Sequence, residues 1–473
     1  MVADFIDSVY GDYVESETSK NAFIRNAHKT SILLNACRYH IESENSKDTQ
    51  LLLMGDQHGD SIGIINAIDM LNGFNTLDAI INLGDTDVSH FSEGYATTYF
   101  SLLEKAEKPV FHVLGNHDVG YSPLVSMAGS NQQCFNQWVA PVIAKGWLRV
   151  GEYQENKCYY YHDFTEGKVR LIILYPYDDD NEFYEGYWKH IDYNASYDNI
   201  HTGSAYSVGD RVNVTGFTEY SFECVQAISS TSSSVQNPTV PAYKFYRGIN
   251  IIRQEQAQWF LDTLASTPEN YSVVVAIHGV PSENYTIDTS KGKFCQDLDR
   301  TALQFGGYGM DGGTDGINDF LAKAANAFNT GDANFSMTVD FKTYKGYDGH
   351  GAKYATPYNV SKDFSQKSAG AKFHCFLCGH THFDLIWKHK TYDLYVINPM
   401  YTGTVWGRTH VFGVPEYASD IVLSTEDGVA RDSFTSIAFN NSRGMKKIGL
   451  AKIGNDTTVN GLKRDFDVVD LDI

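Results

Sequence analysis

With 473 residues, 42% of them hydrophobic and 20% charged, the chain can hold one large globular domain with insertions or two domains, and length alone does not choose. The net charge, 37 − 58 = −21, excludes nonspecific binding to nucleic acid and to acidic membrane surfaces, which the chain repels. A compact anionic substrate is compatible with that field only where local cations, such as bound metals, offset it.

The first 48 residues read as a helical extension. Phe23, Ala27, Ile32, Leu33 and Ala36 recur at helical spacing across Ser19–His40, which predicts a helix laid on the core or docked on a partner. From 50 to 118, strand-like runs alternate with helical patterns over short connections, the mark of parallel βαβ units. Gln50–Gly55 carries no charge and reads as a strand buried on both faces. A helix over Ser61–Leu71 follows, with Asp60 placed to cap it. Leu77–Leu83 and Pro109–Leu114 are further strands, with a crossover helix over Glu93–Ala106 between them. Asn131–Lys145 has Phe135, Trp138, Val139 and Val142 on one helical side, and Lys157–Phe164 and Lys168–Tyr175 are strands around the turn Thr165-Glu166-Gly167.

Periodicity then disappears from about 176 to 247, a stretch rich in tyrosine that reads as a structureless insertion. Its Asp178-Asp179-Asp180 reads as an acidic surface turn in preference to a metal site. A helix over Arg253–Leu264 and a strand over Tyr271–His278 return to the core pattern. A second insertion, about 281–370, holds a recognisable helix at Asp315–Phe328; its glycines follow no strand and precede no Lys-Ser/Thr, so they do not form a phosphate loop. Lys372–Cys378 is a strand, Phe383–His389 with Tyr392–Ile397 is a hairpin, and Phe434–Phe439, Lys446–Ile453 and Phe466–Leu471 make a β-rich C-terminal segment. The seven cysteines are odd in number and scattered, unlike a disulfide framework. Cys375 and Cys378 are three apart on a strand and point to opposite faces, which predicts buried thiols and not a zinc knuckle. The N-terminus lacks the pattern of a signal peptide, and no run approaches the roughly 18–20 apolar residues that span a bilayer, so a soluble product is expected.

Five of the strands end alike. Asp56-Gln57-His58, Gly84-Asp85, Gly115-Asn116-His117-Asp118, His278-Gly279 and Gly379-His380-Thr381-His382 each place Asp, Asn or His on a sharp turn at a strand's C-terminal end. Ligand sites of open α/β sheets lie at that edge. Gathered there, Asp56, His58, Asp85, Asn116, His278, His380 and His382 form a mixed oxygen and nitrogen donor set. Seven donors are too many for one tetrahedral zinc and suit two borderline metals that share a carboxylate. Two metals roughly 3.5–4 Å apart clamp both oxygens of an in-line phosphoryl displacement and generate hydroxide at neutral pH. The other histidines, among them His90, His112, His162, His350 and His374, match no pattern and read as structural or surface residues.

In identity and order the five blocks resemble the calcineurin-like metallophosphoesterase family, over about 50–400 less the two insertions. The resemblance implies an α/β fold, a four-layer αββα sandwich of the metallo-dependent phosphatase type, over 49–473. It implies hydrolysis of a phosphate mono- or diester by a metal-bridging hydroxide at a dinuclear centre of manganese, iron or zinc. Carried onto this chain, Asp56, His58 and His382 hold the first metal, Asn116, His278 and His380 the second, and Asp85 bridges. His117 does not ligate; it stabilises and protonates the leaving group. Where many members carry an acid three places after the bridging Asp to orient the catalytic His, this chain has Val88, with Asp87 one step early; Asp118 is the substitute candidate. Two other readings stay open. One is the same fold in a larger assembly, such as a phage tail protein acting on a cell-envelope phosphopolymer, cytoplasmic before assembly or virion-associated, with the N-terminal helix or the insertions contacting a partner. The other is a binding module without catalysis, which the intact donor set disfavours.

Overall fold

The computed structural model describes most residues from 48 to 399, except shorter stretches of which the longest are 120–130, 230–251, 288–315 and 340–356, and it describes strands between 434 and 472. The expected helix at 19–40, the capping Asp60, and Val88, His90, Asp179, Asp180, His350 and His382 lie outside the described residues.

Among the described residues, the strand-like runs that precede the turns become strands and most of the 3.6-period runs become helices laid against them. In chain order these are β1 (Thr49–Met54), α1 (Ser61–Gly73), β2 (Ala79–Asn82), α2 (Glu93–Leu102) and β3 (Val110–His112). Next comes α3 (Asn131–Cys134), which passes through a π turn at Phe135–Val139 into α4 (Ala140–Ala144). Pro141 in the first turn of α4 has no N–H to give the preceding turn, which accounts for the widening of what the pattern presents as one helix. The hairpin β4 (Tyr160–Phe164) and β5 (Val169–Ile173) precedes four short strands: β6 (Tyr184–Glu185), β7 (Trp188–Asp192), β8 (Arg211–Val212) and β9 (Tyr220–Cys224). The chain continues through α5 (Gln254–Ala265), β10 (Ser272–Ala276), β11 (Tyr285–Ile287), α6 (Ile317–Thr330), β12 (Phe335–Val339), β13 (Tyr358–Lys362) and β14 (Lys372–Leu377). It closes with β15 (Leu385–His389), β16 (Tyr395–Asn398), β17 (Phe434–Asn440), β18 (Lys447–Ile453), β19 (Thr458–Val459), β20 (Leu462–Lys463) and β21 (Val468–Asp472).

Two sheets form the body. One has the order β21-β18-β17-β1-β2-β3, with β1, β2 and β3 parallel and the C-terminal strands added antiparallel at β1. The other has the order β11-β15-β16-β14-β10-β5-β4, with β5, β10, β14 and β16 parallel. Alternation along the second sheet shows the layering. Leu171, Ile173, Val274 and Ala276 join the core shared with the first sheet, while Ile172, Leu174, Val273 and Val275 join the core under α5 and α6. Cys375 faces the first of these cores and Cys378 the second, both buried, as period-2 geometry requires. With α1 packed on β1 and β2, the order is helices, sheet, sheet, helices. Among the described residues no helix is long and apolar enough to cross a membrane.

The described parts of both insertions hold strands that their sequences do not suggest. The first carries the four-stranded sheet β6-β7-β9-β8, with its own core of Trp188, Val212, Phe222, Cys224 and Ile228. It looks aperiodic because those strands are two to five residues long, too short to establish a repeat. Asp178 corrects the surface-turn reading. It is buried, its carboxylate accepts from Asn131 Nδ2 (3.3 Å) and Gln256 Nε2 (3.0 Å), and its carbonyl accepts from Arg253 Nε (3.0 Å), so it ties the first insertion to α3 and to the start of α5. In the second, α6 packs Phe320, Leu321 and Phe328 into the outer core beside β14, as a crossover helix between β10 and β14 does.

Candidate metal centre

The strand ends converge because their turns interlock. Asp56 N–H donates to Gly84 C=O (2.8 Å), His58 N–H to Asp85 C=O (3.0 Å) and Gly59 N–H to Thr86 C=O (2.9 Å), which continues the β1–β2 pairing past the strands. The turns need unusual backbone. Asp56 (φ 55°), His58 (45°), Asp85 (53°) and His380 (73°) all adopt the left-handed conformation that non-glycine residues avoid. Strain of about 1–3 kcal/mol at such a residue persists only where its surroundings over-determine it, and it gathers at functional sites. Gly379 shows how close the approach is: a Cβ there would stand 2.8 Å from Leu83 O and 3.1 Å from Asp56 Oδ2.

His278, buried at the end of β10, anchors one half of the site. Its Nδ1 lies 2.7 Å from Leu83 C=O, and a carbonyl only accepts, so Nδ1 carries a proton and Nε2 is turned inward. Around Nε2 stand His380 Nδ1 (3.1 Å), Asn116 Oδ1 (3.2 Å) and Asp85 Oδ2 (3.3 Å). Two nitrogens and two oxygens thus meet at one point, and the inward histidine is oriented by a backbone carbonyl, the usual support of a metal-bound imidazole. Burial opposes charge on His278, but Asp85 and Asp56 outweigh it and push its pKa up to about 9. The two carboxylates thus favour positive charge at this point, and the donor set of two nitrogens and two oxygens fits a divalent metal.

The other half gathers His58, Asp85 and His117. His58 Nε2 and His117 Nε2 are each 3.9 Å from Asp85 Oδ2, and the two rings meet edge to face at 4.5 Å. Asp85 is common to both halves. Burial would raise its pKa, but the imidazoles of His278, His117 and His58 hold it well below the ordinary carboxylate range. Asp56 is buried beside the site, where both its oxygens accept the N–H of His380 (3.0 and 3.1 Å). The structure thus brings together six of the seven expected donors among its described residues. It adds His117 to the first group, although the sequence reading keeps that residue off the metal. His117 N–H donates to Asp85 Oδ1 (2.9 Å), and 14% of its side chain stays exposed against 2% for His58, so its ring faces the open side.

Asp118 departs from expectation. Its Oδ1 accepts from the N–H groups of Thr86 (2.8 Å) and Asp87 (2.9 Å) and its Oδ2 from Gly115 N–H (2.9 Å). The carboxylate is occupied in tying the Asp85 turn to the Asn116 turn, and among the described residues it makes no hydrogen bond to the His117 ring. Burial and the nearby Asp85 push its pKa up to about 8 against those amide donors. Asn82, inside the strand-like run Leu77–Leu83, matches no motif. It is buried at the end of β2, directly behind Asp85; a lone amide in an otherwise apolar strand was the available signal.

A family model described as calcineurin-like phosphoesterase matches residues 49–384. No curated protein matches the chain. Among solved structures, the purple acid phosphatase PPD1 isolated from yellow lupin (Lupinus luteus) seeds is similar at 11% identity, over 90% of this chain and 54% of that one, with a TM-score of 0.37. The chain spans about half the length of that structure.

Proposed function

The chain belongs to the calcineurin-like phosphoesterase family, matched over 49–384, and from that premise we propose that it hydrolyses phosphate esters at a two-metal centre bridged by Asp85. The observation that carries the reading is the convergence of His278, His380, Asn116 and Asp85 on one point, with Asp85 shared by a second group. We assign Asp56, His58 and His382 to one metal and Asn116, His278 and His380 to the other. Bound cations supply Lewis acidity at phosphorus and lower the pKa of water.

The chain's own groups do the rest. The Leu83 carbonyl keeps the proton of His278 on Nδ1 and the lone pair of Nε2 directed inward. Asp85 Oδ1, taking the His117 N–H, fixes the turn that carries the His117 ring. On the open side of the centre, that ring donates a proton to the departing ester oxygen. His117→Ala should then lower kcat by roughly 10²–10⁴ with metal content unchanged, and the loss should shrink for esters with very good leaving groups. A fall in metal content equal to the fall in rate would make His117 a ligand, as its distance from Asp85 also allows. Metal analysis of protein purified without chelator, with rates on p-nitrophenyl phosphate and bis-p-nitrophenyl phosphate, tests the whole reading. It expects about two equivalents of metal and turnover of at least one of the two esters; metal-loaded protein that cleaves neither refutes it.

A further inference from the structure

We propose that Asn82, held from behind by Tyr99 and His112, is a positioning residue that sets the orientation of Asp85 and thereby the affinity of the centre for its metal. The inference rests on the two-metal reading of the site and extends it to residues that touch neither metal nor substrate.

The Asn82 amide grips both flanks of Asp85. Gly84 N–H lies 3.2 Å from one side of the amide and must meet an acceptor, so that atom is Oδ1. Nδ2 then faces Thr86 Oγ1 (2.7 Å) and Tyr99 Oη (3.0 Å). Between the two gripped residues stands Asp85, in the left-handed conformation and next to a left-handed Gly84 (φ 99°). Asn82 is the side chain that ties both neighbours of Asp85, beside Asp118 on the N–H groups of Thr86 and Asp87, and together they hold this turn.

The clamp has a fixed backing. Tyr99, on α2, accepts from Asn82 and so directs its own hydrogen to His112 Nδ1, 3.3 Å away on β3. His112 Nδ1, which also lies 3.5 Å from the donor Asn82 Nδ2, is therefore the acceptor and its proton sits on Nε2. Burial pushes the Tyr99 phenol far above its ordinary range and His112 down to about 3, so neither changes charge near neutral pH. Donors and acceptors thus run in one sense, from Asn82 Nδ2 to Tyr99 and from Tyr99 to His112. All four residues, Asn82, Thr86, Tyr99 and His112, are buried.

The test is direct Mn²⁺ binding to metal-stripped protein by calorimetry, beside thermal unfolding of the same metal-free samples. Tyr99→Phe keeps the ring in its aromatic cluster and removes only the hydroxyl. Asn82→Ala releases both flanks of the turn. Partners one shell removed from a metal typically change affinity about 10–100-fold when mutated, so Kd for Mn²⁺ should rise roughly tenfold in Tyr99→Phe and more in Asn82→Ala, while metal-free Tyr99→Phe melts near wild type. If Asn82→Ala does not fold, Tyr99→Phe carries the test. Wild-type affinity in the variants overturns the proposal and leaves the metal centre standing. Wild-type protein that binds no Mn²⁺ overturns both. Wild-type binding without ester hydrolysis removes only the catalytic reading.

Discussion

Gly115→Ala probes the centre with a single methyl group. A Cβ built on Gly115 would stand 2.2 Å from Asp85 Oδ1 and 2.3 Å from Asp85 N, where ordinary contact begins at 3.4 Å. The carboxylate must therefore retreat by at least 3.4 − 2.2 = 1.2 Å, and it cannot swing freely, because Oδ1 also accepts from His117 N–H and the turn is pinned by Asp118 and Asn82. Metal sites tolerate only about ±0.2 Å in ligand distance, so on the proposed two-metal reading a shared carboxylate displaced this far would lose one of its metals. Overpacking of this kind costs about 1–3 kcal/mol of stability, and a misplacement of about 1 Å in a reacting assembly costs about 10²-fold in rate. Gly146→Ala is the matched control. It forces a left-handed alanine (φ 73°) for about 1–2 kcal/mol, with nothing within 4 Å of the new methyl. Metal per chain by plasma emission, kcat on p-nitrophenyl phosphate and Tm are measured for both. Gly115→Ala should lose metal and activity while Gly146→Ala loses only stability. Wild-type metal content and kcat in Gly115→Ala would refute the bridging geometry.

Chelation should destabilise the protein: a ligand present at 100 times its Kd contributes about 2.7 kcal/mol, so calorimetry should show a lower Tm in EDTA, restored by Mn²⁺. Glu152 is buried, but its hydrogen bonds from His162 Nδ1 and Arg149 N–H hold its pKa below the ordinary value. Its contribution is present above the unfolded value near 4.3 and is lost as pH falls through the folded value. Glu152→Gln should cost about 1–2 kcal/mol at pH 7, and in urea melts the gap from wild type should narrow as pH falls below the unfolded value. Cys134, Cys158, Cys224, Cys375 and Cys378 are buried, with the last two pushed far above the ordinary thiol range by burial, so peptide mapping after iodoacetamide should find all five unmodified until the protein is unfolded.

How far the sequence reveals the centre follows from the range of each signal. Gly84-Asp85 and Gly115-Asn116-His117 are local events, a largely apolar run stopped by glycine and a ligand-type side chain, and such events survive in one dimension. The C-terminal strands were equally legible, and the structure pairs Phe434–Asn440 with β1. What Asp118 does depends on three amides, two of them more than 30 residues away. Its adjacency to His117 suggested an orienting role that its buried environment does not support. His112 matched no motif, and its value lies in a hydroxyl on another element. The first insertion failed for a different reason. Strands of two residues carry no period, and its order rests on a small separate core whose members are scattered from Trp188 to Ile228.

The centre belongs to neither sheet alone. Asp56, His58, Asp85, Asn116 and His117 follow strands of the first sheet, while His278 and His380 follow β10 and β14 of the second. Among the described residues, the hydrogen bonds that cross between them at the site include His278 Nδ1 to Leu83 C=O, His278 Nε2 with Asn116 Oδ1, and His380 N–H to each oxygen of Asp56. Neither sheet can hold its donors without the other, because the proton position of His278 is set by a carbonyl at the end of β2 and the left-handed His380 is held by a carboxylate at the end of β1. Packing of Leu171, Ile173, Val274 and Ala276 against the first sheet is thus also the step that assembles the donors. A cation drawing on both sets would close the sandwich at its rim and couple metal affinity to sheet-to-sheet packing, so a core substitution between the sheets should weaken metal binding without touching a ligand.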